Sequence, residues 1–165
     1  MTGDGRIIWI TGLSGVGKTT LANALQRSLS NTQSVRVLDG DQLRRDFGIE
    51  GYDRVSRLEV GERTSQLAQQ LCELSQVVLV ATISMFHLLQ QHNRASCSNY
   101  QEILLTASWE SLITRRPNLY GPFATERDVV GVDLDAEEPK NPELKLNTSV
   151  LSVSQCVDQV HDVLF

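Results

Sequence analysis

The segment Gly12-Leu13-Ser14-Gly15-Val16-Gly17-Lys18-Thr19 follows the apolar run Ile7-Ile8-Trp9-Ile10 and precedes Thr20-Leu21-Ala22-Asn23-Ala24-Leu25, which reads as a helix. A buried strand that enters a glycine-rich turn and then a helix aims successive backbone N–H groups at one point, where the helix terminus adds partial positive charge. The glycines let the backbone close around an oxygen-rich ligand with no Cβ in the way. Residues Gly12 to Thr20 are therefore predicted to cradle nucleotide phosphates, with Lys18 reaching the outer phosphates and the Thr19 hydroxyl ligating Mg²⁺.

Outward from this segment, strand-like runs recur at Arg6 to Thr11, Ser34 to Leu38, Val77 to Ile83, Gln101 to Leu105 and, weakly, Leu144 to Leu146. Helical stretches separate them, an alternation that predicts an α/β fold: a parallel sheet with helices on both faces. From Arg54 to Leu74 the residues Leu58, Leu67, Leu71 and Leu74 fit one helical face, with Ala68 beside them. A second helix is expected over Ser152 to Phe165, N-capped by Ser152 or Ser154. Between Arg115 and Val130 the pattern breaks at Pro117, Gly121 and Pro122, and so long an irregular stretch is expected to act as a lid.

The chain has 165 residues, 41% of them hydrophobic, which predicts one domain over 1–165 with a core that needs no disulfides. A net charge of −5 argues against a broad nucleic-acid-binding face. The cysteines Cys72, Cys97 and Cys156 are odd in number and widely spaced, so neither a disulfide framework nor a zinc site is expected. His87, His92 and His161 likewise form no metal-ligand spacing. The first residues lack a signal-peptide pattern, and no apolar run approaches the roughly 20 residues needed to span a bilayer. A cytoplasmic protein without a membrane partner is the expectation.

The second strand runs into Leu38-Asp39-Gly40-Asp41-Gln42-Leu43-Arg44-Arg45. Ligands of open parallel sheets collect beyond the carboxyl ends of the strands, so Asp39 and Asp41 are predicted to face the phosphate-binding segment. One carboxylate can orient Mg²⁺, and the other can accept the proton of a hydroxyl attacking the γ-phosphate. Arg44, one turn into the next helix, suits a negatively charged acceptor. The third strand ends at Ser84 without an acidic residue, which argues against motor ATPases and GTPases.

With these motifs in place, the chain resembles the adenylylsulfate kinases, which phosphorylate the 3′-hydroxyl of adenosine 5′-phosphosulfate. The resemblance rests on Gly12 to Thr20, Leu38-Asp39-Gly40-Asp41 with Arg44, Asp53-Arg54, Ala81-Thr82-Ile83-Ser84, Arg115 with Pro117 and Leu119-Tyr120, and Val130-Gly131-Val132-Asp133 before Glu138-Pro139. It implies a P-loop kinase fold with a lid, ATP and Mg²⁺ as cofactors, a nucleotide-linked small-molecule acceptor and a homodimer. It implies Asp41 as general base with Lys18 and Asp39 beside it, Thr19 and Asp39 at the metal, and Arg44, Arg54 and Ser84 at the acceptor. Family descriptions make Ser84 a phosphoserine intermediate; direct transfer needs only a positioned hydroxyl there. Phe47 and Phe86 are expected to bracket the acceptor base, with Arg94 and Arg115 as further acceptor contacts.

The departures fall on the acceptor and lid sides. Val55-Ser56-Arg57-Leu58-Glu59 stands where an asparagine and an Arg-Arg pair are usual, and Met85-Phe86-His87 where a proline is usual. The lid's Arg-Asp-Pro-Lys-Gly-Leu-Tyr is replaced by Arg115-Arg116-Pro117-Asn118-Leu119-Tyr120, one residue shorter and without the lysine. This pattern resembles a side branch that acts on CDP-linked compounds such as cytidine diphosphoramidate. Adenosine 5′-phosphosulfate is the first acceptor expected and a CDP-linked compound the second. A catalytically silent nucleotide-binding module is the reading from another class.

Overall fold

The computed structural model describes residues 5–74 and 76–165. Its elements are β1 (Arg6–Thr11), α1 (Lys18–Leu29), β2 (Val35–Asp39), α2 (Gly40–Asp46), α3 (Arg54–Glu73), β3 (Val77–Ala81), α4 (His87–Ser96), β4 (Tyr100–Thr106), α5 (Trp109–Arg115), α6 (Pro117–Tyr120), β5 (Leu144–Asn147) and α7 (Val153–Leu164). The five strands are parallel in the order β2-β3-β1-β4-β5. The chain first builds on the β3 side of β1 and then crosses to the β4 side, so the change of direction falls at β1. The crevice of such a sheet opens at that point, and the phosphate-binding segment leaves β1 there.

Residues Ile7-Ile8-Trp9-Ile10 of β1 and Val77-Val78-Leu79-Val80-Ala81 of β3 read as unbroken apolar runs because helices cover both faces. Alternate side chains divide between two cores. Ile8, Ile10, Leu79, Ile103, Leu105 and Leu146 pack with Leu21, Ala22 and Leu25 of α1 and with Cys156 and Val160 of α7. Ile7, Trp9, Val78 and Val80 pack with Leu43 of α2, Ala68 of α3 and Leu89 of α4. The predicted α/β architecture is therefore present, and Ser152 forms a capping box with Gln155 at the start of α7.

Beyond single-residue shifts at the ends of β2, β4 and β5, a strand end and a helix face differ from the sequence reading. The third strand stops at Ala81 rather than Ile83, because its neighbour β1 turns out of the sheet at Gly12, whose φ is 143°. The buried side of α3 is Val60, Gly61, Thr64, Ser65 and Ala68, whereas Leu58, Leu67 and Leu71 are only partly covered and Leu74 is 68% exposed. Small residues face inward because the helix lies close to its neighbours: a Cβ on Gly61 would meet Leu89 Cδ2 at 2.7 Å and Ser84 Oγ at 3.1 Å. That close approach brings the N-terminal half of α3 to the carboxyl end of β3. No helix among the described residues is long and apolar enough to cross a membrane.

Candidate active site

The turn after β1 is shaped by three glycines in the left-handed region, Gly12, Gly15 and Gly17 with φ 143°, 87° and 99°. At Gly12 the requirement is also steric, since a Cβ there would lie 2.3 Å from the Leu105 carbonyl oxygen. Gly17 is the N-cap of α1 and offers no side chain to the first-turn N–H groups. Those donors remain available to an anion held by the loop, with the helix dipole behind them.

Lys18 folds back into this loop, donating from Nζ to the Gly12 oxygen at 3.0 Å and the Leu13 oxygen at 2.8 Å. Burial pushes its pKa down to about 8, against the opposing pull of Asp41 and Asp39 and with a further push from Arg116.

Across the crevice, Asp39 has two tasks. Its Oδ1 accepts from the Asp41 and Gln42 N–H groups at 3.0 Å each and so caps α2, while its Oδ2 accepts from the Thr19 hydroxyl at 2.6 Å. The pair Thr19–Asp39 joins a hydroxyl and a carboxylate at the mouth of the phosphate loop. This donor set suits Mg²⁺, which takes one or two protein oxygens and completes its shell with water and phosphate oxygens. Asp41, exposed on the first turn of α2, lines the same crevice as Lys18, Thr19, Arg44 and Ser84. That crevice has a volume of about 680 Å³. Gly40 between the two carboxylates is pressed against Thr82, where a Cβ would come within 2.6 Å of Thr82 Oγ1. Thr82 Oγ1 in turn lies 3.0 Å from Ser84 Oγ, which fixes the serine at the head of the cleft.

A second recess of about 350 Å³ continues from the first past Arg57, Ile83, Ser84 and Val130. Arg54 stands over the Phe86 ring at 4.9 Å on its wall, and Glu137 holds that arginine at 2.7 Å. The other Glu137 oxygen accepts from the His87 N–H at 2.7 Å. This hydrogen bond, together with Arg54, keeps the Glu137 carboxyl below its usual range. On the main crevice, Tyr52 is flanked by two guanidinium groups, Arg44 at 4.4 Å and Arg57 at 5.4 Å from its ring. Arg57 also donates to the Tyr52 oxygen at 2.6 Å and to the Asp128 oxygen at 2.9 Å, tying α3 to the irregular segment after α6.

Several expected residues are brought together here: Ser14, Gly15, Gly17 to Thr20, Asp39, Asp41, Arg44 and Ser84 surround one cleft, and Arg54 and Phe86 share the adjoining recess, whereas Val16 turns into the core. Others are elsewhere. Arg94 is outside both cavities, donating to Glu102 at 2.9 Å and to Glu143 at 2.7 Å, because a carboxylate with 2% exposure requires a cation beside it. Phe47 packs against the α2–α3 core with Arg63 over its ring, so Phe47 and Phe86 do not form a bracket. Arg115 does line the main crevice, beside the phosphate loop, but its guanidinium is bonded to the Gly15 oxygen at 3.2 Å and to the Thr148 hydroxyl and carbonyl oxygens at 3.0 and 2.8 Å. Asn93, next to Arg94 in α4, is buried in bonds to Ser65 and Tyr100.

The residues that sequence reading left out are Tyr52, Arg57, Arg116 and Glu137. Arg57 and Arg116 lie in stretches read only as departures from the family pattern, and only an aromatic and arginines in the order Tyr52, Arg54, Arg57 hinted at the cluster.

A sequence profile described as adenylylsulphate kinase matches residues 4–147. The chain belongs to the adenylylsulphate kinase family. It is accordingly a small-molecule kinase, a phosphotransferase with an alcohol group as acceptor. Among relatives of this adenylylsulphate kinase-family chain, the cytidine diphosphoramidate kinase of Campylobacter jejuni is 37% identical over 147 residues, 87% of this chain and 86% of that protein. The adenylyl-sulfate kinase of Prochlorococcus marinus is 34% identical over 166 residues, 93% of this chain and 80% of that one. The fold superposes on an APS kinase of Mycobacterium tuberculosis, solved with AMPPNP and APS, with a TM-score of 0.85 at 29% identity and 98% coverage of both chains. P-loop kinase architecture is thus the family's and this chain's. A gluconokinase of Sinorhizobium meliloti, 15% identical with a TM-score of 0.70, shares the fold alone.

Proposed function

We propose that this kinase transfers the γ-phosphoryl group of Mg²⁺-ATP to the ribose 3′-hydroxyl of a nucleoside that carries an anionic group at its 5′ end, adenosine 5′-phosphosulfate being the first acceptor. The observation that carries the reading is the pairing of Lys18 and Thr19 with Asp39 and Asp41 across a single crevice. Backbone N–H groups from Gly12 to Thr20 and the Lys18 ammonium hold the phosphates, and Thr19 and Asp39 hold Mg²⁺. When bound there, Mg²⁺ would neutralise phosphate charge. Asp41 takes the acceptor hydroxyl's proton as that oxygen bonds to the γ-phosphorus and the bridge to the β-phosphate breaks. Ser84 orients the acceptor through its hydroxyl, and no covalent serine step is needed. Arg44 and Arg54 meet the acceptor's anionic and aromatic parts. Residues 115–130 act as the lid of one domain, and a homodimer is the working assembly.

A second acceptor has a specific observation in its favour. The cytidine diphosphoramidate kinase is 37% identical, and the departures from the family pattern cluster around Arg54, Arg57 and Phe86 rather than in the donor loop. Both acceptors present a 3′-hydroxyl and a 5′-linked anion, so the same catalytic groups serve either. Purified protein given ATP, Mg²⁺ and each acceptor should release ADP only with its own substrate; no acceptor-dependent ADP from either defeats the proposal. Asp41→Asn should lower turnover by about 10²- to 10⁴-fold while ATP still binds.

A further inference from the structure

The main crevice is lined by Lys18 and six arginines: Arg44, Arg45, Arg57, Arg115, Arg116 and Arg127. Most of them already have a hydrogen-bond partner within the chain. Arg44 bonds the Gly51 oxygen and stacks on Tyr52, Arg57 holds Tyr52 and Asp128, Arg45 bonds Gln42, and Arg115 is consumed by Gly15 and Thr148. Arg116 and Arg127 are left without a side-chain hydrogen bond or ion pair among the described residues. Of these two, Arg116 is the one beside the phosphate loop. A Cβ built on Gly15 would lie 2.9 Å from Arg116 Cγ, and the Arg116 charge is near enough to contribute to the lowered pKa of Lys18.

The backbone beneath Arg116 is fixed to that loop from both sides. It is the single residue between α5 and α6, serving as C-cap of one and N-cap of the other with φ −139° and ψ 63°. Its predecessor Arg115 donates to the Gly15 oxygen, and Tyr120, one turn on, donates to the Ser14 oxygen at 3.1 Å. A guanidinium left without a hydrogen-bond partner, on a backbone anchored to the phosphate loop, is free to take phosphate oxygens, which its planar fork can bind through two N–H groups.

We propose that Arg116 is a catalytic residue that grips the γ-phosphate of bound ATP and stays on it during transfer. As the bond from the γ-phosphorus to the β,γ-bridging oxygen breaks and the bond to the acceptor oxygen forms, the acceptor's proton goes to Asp41. Arg116 keeps its own protons and neutralises charge on the non-bridging oxygens. The inference rests on ATP being the phosphoryl donor and is independent of which acceptor is used.

The test compares the dissociation constants of Mg²⁺-ATP and Mg²⁺-ADP by calorimetry for the full chain and for Arg116→Ala and Arg116→Gln, with no acceptor present. Loss of a charge-assisted contact to the γ-phosphate should weaken ATP by about ten- to hundredfold and leave ADP nearly unchanged. Arg116→Lys, which retains the charge, should recover most of that loss. With the acceptor that supports turnover, Arg116→Ala should lower kcat by about 10²- to 10³-fold. An unchanged ATP-to-ADP affinity ratio, an equal weakening of both nucleotides, or a selective loss of ATP in Arg127→Ala instead would overturn the proposal. Failure of the wild-type chain to bind ATP at all would defeat the donor reading itself and is seen separately from these outcomes.

Discussion

Nucleotide binding at alkaline pH should draw a proton onto Lys18. Without nucleotide, burial holds this lysine at a pKa of about 8, although Asp41 and Asp39 act to raise it. At pH 8.5 about three quarters of nucleotide-free molecules would then carry a neutral Lys18. The phosphates of ATP bring several negative charges to the ammonium position and restore its pKa toward or above the ordinary lysine value. Binding at pH 8.5 should therefore take up between about half and three quarters of a proton, and binding at pH 6.5 almost none. Calorimetric titration with ATP in two buffers of different ionisation enthalpy measures the number directly from the change in apparent enthalpy. Lys18→Arg, which stays charged throughout, should lose the uptake. Above pH 8 the wild-type affinity should decline by up to about tenfold per pH unit. The same shift acts on the nucleotide-free fold. Because the folded pKa lies below the unfolded one, the unfolded chain binds more protons between about pH 8 and 10.5, and Lys18's share of stability rises across that window by up to about 3 kcal/mol. Proton uptake near zero at pH 8.5, or equal uptake at both pH values, refutes the placement of Lys18 in a desolvated loop.

Further outcomes follow from particular contacts. Gly12→Ala should destabilise the protein by more than Gly17→Ala in urea unfolding, because a Cβ at Gly12 meets Leu105 O at 2.3 Å whereas nothing lies within 4 Å at Gly17. The second change costs only left-handed backbone strain of about 1–2 kcal/mol, and equal losses would contradict the steric argument. Arg94→Ala should cost about 2–4 kcal/mol by stranding the buried Glu102, without a selective rise in acceptor KM; such a rise in a folded variant would return Arg94 to the site. Burial pushes Glu143 up, but hydrogen bonds from Arg94 and the Glu102 N–H hold its folded pKa below the ordinary 4.5. Its stabilisation is therefore present above that pH and lost on acidification, and Glu143→Gln should flatten the acid limb of a melting-temperature profile. Glu102 is raised by burial and works in the opposite sense, which makes Glu143 the informative variant. Cys72 and Cys97, with Sγ atoms 3.8 Å apart, should join under a disulfide-forming oxidant. Burial and the neighbouring thiol push Cys72 up to about 12, so closure should be faster at pH 9 than at pH 7; mass spectrometry showing no cross-link at pH 9 would contradict the pairing.

The half of the candidate site proposed for the donor was legible in its geometry because its pattern is local. Gly12 to Thr19 carries both its backbone shape and its ligating groups within one turn, and Asp39-Gly40-Asp41 does the same at the end of β2. The apolar runs Ile7-Ile8-Trp9-Ile10 and Val77-Val78-Leu79-Val80 likewise announced a sheet covered on both faces, since strands buried on two sides need no polar alternation. The acceptor half could not be read in this way, because an arginine's role depends on whether a distant group has already taken its hydrogen bonds. Arg94 is committed to Glu102 and Glu143, and Arg115 to Gly15 and Thr148, partners up to 100 residues away in sequence. Arg54 is turned over Phe86 by Glu137, and Tyr52 is set between Arg44 and Arg57. The sequence by itself determined the parallel sheet, the phosphate loop and the facing carboxylates, all of which follow from periodicity and short-range spacing. Only the tertiary structure decided which arginines are spent on the fold and which one, Arg116, stands uncompensated beside the loop, because that outcome is settled by the competition of buried polar groups for partners across the whole chain.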